Sequence, residues 1–259
     1  MISPIQAITS LFVLATVANS AAIPSTIVPR ATGKRGLGYN DASLCSQFSS
    51  GEITWGYDWA AGAASTVGKF EYVPMLWGEK TFADWPRNVK AALAKGAKHL
   101  LAFNEPDLPS QANMSPSAAA KAYITHMNPH AGSASLGAPA VSNSGSPNQG
   151  LDWLKQFLAE CNGACKIDFV PIHWYDPTGG VEYFKKHMRE AYAIAGKPIW
   201  LTEFGMWGAS QEDQAKFFRE VSVWMDQQDW LERYAYFGVF EGMMIQGGQL
   251  STLGRAYNS

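Results

Sequence analysis

Short apolar runs alternate along the chain with longer, polar stretches of helical spacing. Eight of the runs read as strands, at residues 36–40, 53–59, 70–77, 99–105, 135–142, 167–175, 198–204 and 234–238. Start signals mark several of the helices between them. Trp85-Pro86 opens one that runs to Lys95-Gly96, and Ser115-Pro116 opens another that Pro129 closes. Ser210, followed by Glu212 and Asp213, has the form of a capped start. Strands and helices in strict alternation call for a parallel sheet, and eight is the number that closes a (β/α)8 barrel. The alternative is an open, doubly wound sheet. Against it, no G-x-G-x-x-G follows the first strand and no phosphate-binding loop occurs anywhere. The expected fold is therefore α/β, a (β/α)8 TIM barrel over residues 36–259.

A barrel carries its chemistry at the carboxyl ends of its strands. Those ends are polar or aromatic here: Asn40, Asp58-Trp59, Trp77, Asn104-Glu105, Ser142-Asn143, His173-Trp174-Tyr175, Glu203 and Phe240-Glu241. Two of them place a Glu after an apolar run. Period-two alternation puts Leu101, Phe103 and Glu105 on one face of the fourth strand, and Leu201 and Glu203 on one face of the seventh. It also puts His173 and Tyr175 together, with Trp174 opposite. Two carboxylates facing each other across a barrel mouth are what glycoside hydrolysis needs, one to protonate the leaving oxygen and one to act in its ionised form.

Composition narrows the partners. The chain has 259 residues, 20 Lys+Arg against 22 Asp+Glu, and 16% charged residues, against roughly 25% in an average globular protein. Such a balance excludes a nucleic-acid binder working through a basic field, and 47% hydrophobic residues exclude intrinsic disorder. Ten Trp, 10 Tyr and 13 Phe suit flat, uncharged ligands such as sugars, or a Trp-rich core. Trp55, Tyr57, Trp59, Trp77 and Trp207 lie at or just past predicted strand ends. Trp153, Trp200, Trp224 and Trp230 fall in helices or on outer strand faces, where packing is expected.

Residues 1–22 carry no charged side chain and read as a secretory signal peptide, an apolar core followed by small residues. The core is about 12 residues long and a membrane span needs about 20, so no membrane association is expected once the signal is removed. Residues 23–35 form a short pro-segment or linker ending in Lys34-Arg35. That pair reads either as a processing site or as the entry to the first strand. Of three cysteines, Cys161 and Cys165 bracket a turn that suits a disulfide, which leaves Cys45 as a buried free thiol. Asn113-Met114-Ser115 is a sequon, with Pro116 directly after it. No zinc-protease pattern, G-x-S-x-G elbow or metal-ligand spacing occurs, so neither a metal nor a cofactor is expected.

Asn104-Glu105-Pro106 on the fourth strand, with Thr202-Glu203-Phe204-Gly205 on the seventh, resembles the clan A glycoside hydrolases. More narrowly, residues 34–40 (KRGLGYN), 101–107 (LAFNEPD), 167–175 (IDFVPIHWY) and 250–257 (LSTLGRAY) resemble glycoside hydrolase family 128. That resemblance implies a retaining β-1,3-glucanase, with Glu105 as acid/base and Glu203 as nucleophile. Endo action is expected, and with the signal peptide the expected protein is secreted, wall-associated and monomeric. The resemblance also implies that Asn104 contacts the sugar 2-hydroxyl. The cleft then takes its substrate-binding residues from Asn40, Tyr57, Trp59, Trp77, Asn143, His173, Tyr175 and Phe240. Asp58 departs from the family pattern, where relatives often carry an amide. Phe237 and Phe240 stand where clan A enzymes often place Trp. The alternatives are a clan A glycosidase on another β-glucan or a mannan, and a non-catalytic wall glucan-binding protein.

Overall fold

Val73, Met75, Leu101, Phe169, Trp200 and Ala235 meet with Trp55 and Tyr57 in one tight cluster, and this cluster fills the inside of a ring of strands. The computed structural model describes residues 33–62 and 70–259. The expected signal peptide, and residues 23–32 of the segment after it, lie outside the described residues. Among the described residues no helix is long and apolar enough to cross a membrane.

The ring contains β1 (Arg35–Gly38), β2 (Ile53–Tyr57), β3 (Glu71–Tyr72), β4 (His99–Leu100), β5 (Ser135–Leu136), β6 (Val170–Tyr175), β7 (Ile199–Gly205) and β8 (Leu231–Tyr236). Parallel ladders join them in the order β3-β2-β1-β8-β7-β6, and β4 pairs β5 in a separate parallel ladder. Isolated bridges close the two gaps: Met75 to Leu101 between β3 and β4, and Gly137 to Phe169 and Val141 to Ile172 between β5 and β6. The closure is thus uneven, with long ladders on one arc and single bridges on the other. A short antiparallel hairpin, β9 (Ile245–Gln246) and β10 (Gln249–Leu250), follows the barrel strands.

Outside the ring, α1 (Trp85–Ala94), α2 (Pro116–His126), α3 (Gly150–Cys161), α4 (Val181–Ala195), α5 (Gln211–Asp226) and α6 (Thr252–Tyr257) cover the strands. Their second core lies between helices and strands, and Leu37, Phe103, Val170, Leu201 and Phe204 point into it. The helix starts follow capping chemistry. Ser115 Oγ accepts from the Ala118 N–H with Pro116 at the first helical position, and Ser210 accepts from the Asp213 N–H. Cys161 and Cys165 are bonded across the turn that ends α3, with Cα atoms 5.3 Å apart, while Cys45 is buried and free in a 3-10 helix.

One open alternative finds its place and two sequence expectations need correction. First, Arg35 begins β1, the strand-entry alternative, and both basic residues of the dibasic pair are buried. Lys34 Nζ donates to the carbonyls of Met225 and Gln228, and Arg35 donates to those of Tyr257 and Ser259. The folded unit therefore includes two residues that a boundary at 36 leaves out. Second, Trp200 lies inside the barrel, stacked 4.0 Å from Phe169, because it shares the inward face with Trp55. Third, strict alternation fails at both Glu positions, for reasons given next.

Candidate active site

At the carboxyl ends of the strands the ring opens into a cleft of about 710 Å³. Glu105 and Glu203 line it, and each reaches it by breaking its strand's alternation. Leu101 faces the barrel interior, but Phe103 turns outward against Phe82. The regular pairing of β4 ends at Leu100, and Glu105 takes a left-handed backbone with φ 42°, which re-aims its carboxyl into the cleft. On β7, Leu201 packs into the outer core. Ile172 pairs with Leu201 and His173 with Glu203, so Thr202 is an extra residue, a bulge that turns Thr202 and Glu203 inward together. Tyr57, from across the barrel, donates its hydroxyl to the Thr202 carbonyl at 2.8 Å and holds that bulge.

The two carboxyls meet over His173. Its Nδ1 is 2.9 Å from Glu105 Oε1, and its Nε2 is 3.1 Å from Thr202 Oγ1 and 3.5 Å from Glu203 Oε1. One donor atom from each of Glu105, His173 and Glu203 falls within 4.8 Å of the other two. Burial disfavours the imidazolium, but the charge of Glu203 and the hydrogen bond to Glu105 outweigh it, so the imidazole is raised above its ordinary range. The remaining bonds of Glu203 come from neutral groups. Trp59 Nε1–H donates to Oε1 at 2.7 Å, and the Tyr175 hydroxyl donates to Oε2 at 2.7 Å. Burial first, and then the adjacent Glu203 charge, push the Tyr175 phenol well above its ordinary value, so it stays a donor. The three grouped residues have ligand atoms that ligand-spacing rules cannot find, because they arrive from three different strands. In this structure they are joined to one another through the His173 ring, by a hydrogen bond to Glu105 and an ion-pair contact with Glu203.

Asn40, Asn104, Trp77 and Phe240 line the cleft, as do Trp59, Asn143 and Tyr175. Asn104 Oδ1 is buried without a partner, while its amide nitrogen reaches Gln111. Asn143 spends its amide on the chain, donating to the Tyr175 carbonyl and accepting from the Tyr175 N–H. It thereby fixes the residue that holds Glu203. Lys80 Nζ lies 3.3 Å from the centre of the Trp77 ring. Two expected sugar contacts are misplaced: Tyr57 and His173 are fully buried beneath the cleft, because both continue the inward rows of their strands below its floor. Asp58 does not line the cleft; its carboxylate accepts from the Tyr72 hydroxyl and the Ala60 N–H.

Several residues escaped the sequence reading. Leu108, Gln111 and Ser144 line the cleft from loops that carry no periodic signal, beside Ser142 at the expected strand end. Asp107 is buried and accepts from the Ser142 N–H and hydroxyl and from the Gly150 N–H, tying the loop after Glu105 to the one after β5. Its place directly after Asn-Glu-Pro was the available signal.

A family model described as a glycosyl hydrolase catalytic core matches residues 36–257. Among solved structures, the chain is 46% identical to a curdlan-specific exo-β-1,3-glucanase of glycoside hydrolase family 128 (subgroup III) from Blastomyces gilchristii, in complex with glucose. The match has a TM-score of 0.83 and covers 87% of this chain and 97% of that one. It is 28% identical to a subgroup I endo-β-1,3-glucanase from Amycolatopsis mediterranei in complex with laminaripentaose, with a TM-score of 0.72 and coverage of 87% and 98%. Alkali-sensitive linkage protein 1 of Schizosaccharomyces pombe is 29% identical over 252 residues. That match covers 88% of this chain and 45% of its counterpart, so the chain spans less than half of that protein's length.

Proposed function

The chain belongs to the glycosyl hydrolase catalytic core family, within glycoside hydrolase family 128, and from that membership we propose that it is a secreted, retaining β-1,3-glucanase. In the first step Glu105 gives its proton to the glycosidic oxygen while Glu203 attacks the anomeric carbon. In the second, Glu105 takes a proton from the water that releases the sugar. One observation carries this reading: carboxyl oxygens of the two residues lie within 4.8 Å of each other, with His173 between them. That is the short separation of retaining enzymes, since inverting pairs stand about 6.5–9.5 Å apart to admit a water.

The remaining geometry supports the assignment of roles. Glu203 is held at both oxygens by donors, as a group that must attack from a fixed position. Glu105 shares its Oε1 with an imidazole that can exchange a proton with it. The unpartnered Oδ1 of Asn104 is an acceptor for a sugar hydroxyl beside the acid. Trp77 and Phe240 offer ring faces at the cleft wall, and among the described residues of the lining only the two Glu are charged, which suits a neutral polysaccharide.

Endo action was the expectation from the sequence, which carries no signal that separates it from exo action. The relative at 46% identity acts from chain ends, and that likeness favours exo release, while the Amycolatopsis relative supports endo cleavage. Incubation with curdlan, laminarin and laminarioligosaccharides decides both points. Retention requires that the first product anomer seen by proton NMR be β, and glucose as the earliest product marks exo release. An α anomer as first product, or full activity in Glu203→Gln, overturns the proposed mechanism. N-terminal sequencing of protein recovered from the medium tests secretion and the cleavage point.

A further inference from the structure

Trp59 was expected to be a sugar platform, and part of its ring does line the cleft, yet much of the indole is packed against the protein. Tyr57 lies 4.8 Å away at a tilt of 55°, and Phe240 stacks at 6.0 Å with an interplanar angle of 24°. Phe237 meets the ring edge-on at 5.7 Å. A Cβ on Gly38 would come to 3.0 Å of Trp59 Cη2, so the bare glycine of β1 lets the indole pack close. The backbone of Trp59 is left-handed, φ 53°, a region that bulky residues seldom occupy and that tends to mark functional positions. Its indole N–H edge is fixed by this packing and ends on Glu203 Oε1 at 2.7 Å.

We infer that Trp59 is a positioning residue for the nucleophile: its indole N–H fixes Oε1 of Glu203 while Tyr175 fixes Oε2. This rests on the reading of Glu203 as nucleophile. An indole N–H donates and never accepts, so it favours the ionised carboxylate in one orientation. Being neutral, it does so without a cation to cancel the charge that attacks. A sugar bound in the cleft gains little from it, and the chemical step gains much.

The test is Trp59→Phe, which keeps a ring and removes the N–H. On laminarioligosaccharides kcat falls by about tenfold or more while KM stays within about threefold. If the smaller ring loosens the fold, as judged by Tm, incorporation of benzothienylalanine at position 59 keeps the indole shape without the N–H and must show the same kcat loss with KM unchanged. A KM raised tenfold with kcat unchanged makes Trp59 a sugar platform and overturns the inference, as does parent-like behaviour of either variant. Glu203→Ala separates the two levels. If it is inactive and rescued by azide while the Trp59 variants behave like the parent, only the positioning role fails. If it retains activity, the assignment of the nucleophile fails.

Discussion

His173 Nδ1 lies 2.9 Å from Glu105 Oε1, and the imidazole is wholly closed to solvent. Burial works against its proton, while Glu203 and Glu105 hold it, and the net effect raises the imidazole above the unfolded value near 6.5. A folded value above the unfolded one means a stability contribution fully present below about pH 6.5 and lost as pH rises through the raised value. The parent protein is therefore expected to lose stability from pH 6.5 upward, and His173→Gln to flatten that slope. Urea unfolding between pH 5 and 9 measures it; a parent-like slope in the variant refutes the coupling.

Tyr175→Phe removes the donor on Glu203 Oε2 and keeps the ring that packs on Trp207 and Phe237. A kcat loss of about 10- to 100-fold with little change in KM is expected, by analogy with other preorganised donors. In the double variant with Trp59→Phe the losses should not add, because both donors orient one carboxylate. Steady-state kinetics on one oligosaccharide reads the whole cycle.

At the opposite end of the barrel, Glu71 accepts from His99 at 2.7 Å and from Arg233 at 2.8 Å, with Arg233 also 4.4 Å from the Trp200 ring. Burial alone would push the Glu71 carboxyl up, but His99 and Arg233 outweigh it and pull it down to about 2. A depressed folded value contributes stability above the unfolded value near 4.3, lost as pH falls from there toward 2. The difference corresponds to about 3 kcal/mol. Glu71→Gln is expected to destabilise by that order at pH 7 and by much less at pH 2.5, as chemical denaturation at the two pH values would show.

A Cβ on Gly36 would fall 2.1 Å from Trp55 Cε2, inside a fully buried indole whose N–H is bonded to the Lys34 carbonyl. Gly36→Ala must displace that ring, an overpacking cost of about 1–3 kcal/mol. A Tm lowered by about 3–10 °C is the expected result, and an unchanged Tm would mean that the barrel interior yields more easily than its packing implies.

Chains beginning at residue 33 and at residue 36 differ by the anchors of Lys34 and Arg35. Loss of their bonds to the carbonyls of Met225, Gln228, Tyr257 and Ser259 should lower stability by about 2–4 kcal/mol. Calorimetry of the two proteins measures it. Equal Tm values would restore Lys34-Arg35 as a dispensable processing site.

The strands and helix starts were legible because they depend on local signals. Runs of apolar residues, Ser115-Pro116 and Ser210 act within a turn or two of themselves. The two Glu residues were legible as polar endings to apolar runs, but the directions of their side chains were not. Period-two alternation has no means of representing the left-handed Glu105 or the extra residue at Thr202. Tyr57 and His173 were misplaced for a related reason: alternation tells which face a residue takes and not how deep below the rim it sits. The bond from Trp59 to Glu203 joins residues 144 positions apart. Only closure of the ring creates it, so no local pattern announces it.

The uneven closure of that ring bears on how the two carboxyls are anchored. Glu203 stands on β7, a strand laddered to β6 on one side and to β8 on the other, while Glu105 follows a strand whose regular pairing ends five residues earlier and continues only through single bridges. On the proposed mechanism, the nucleophile is therefore carried by a strand with neighbours on both sides, and the acid/base by a segment that the sheet itself grips only at points.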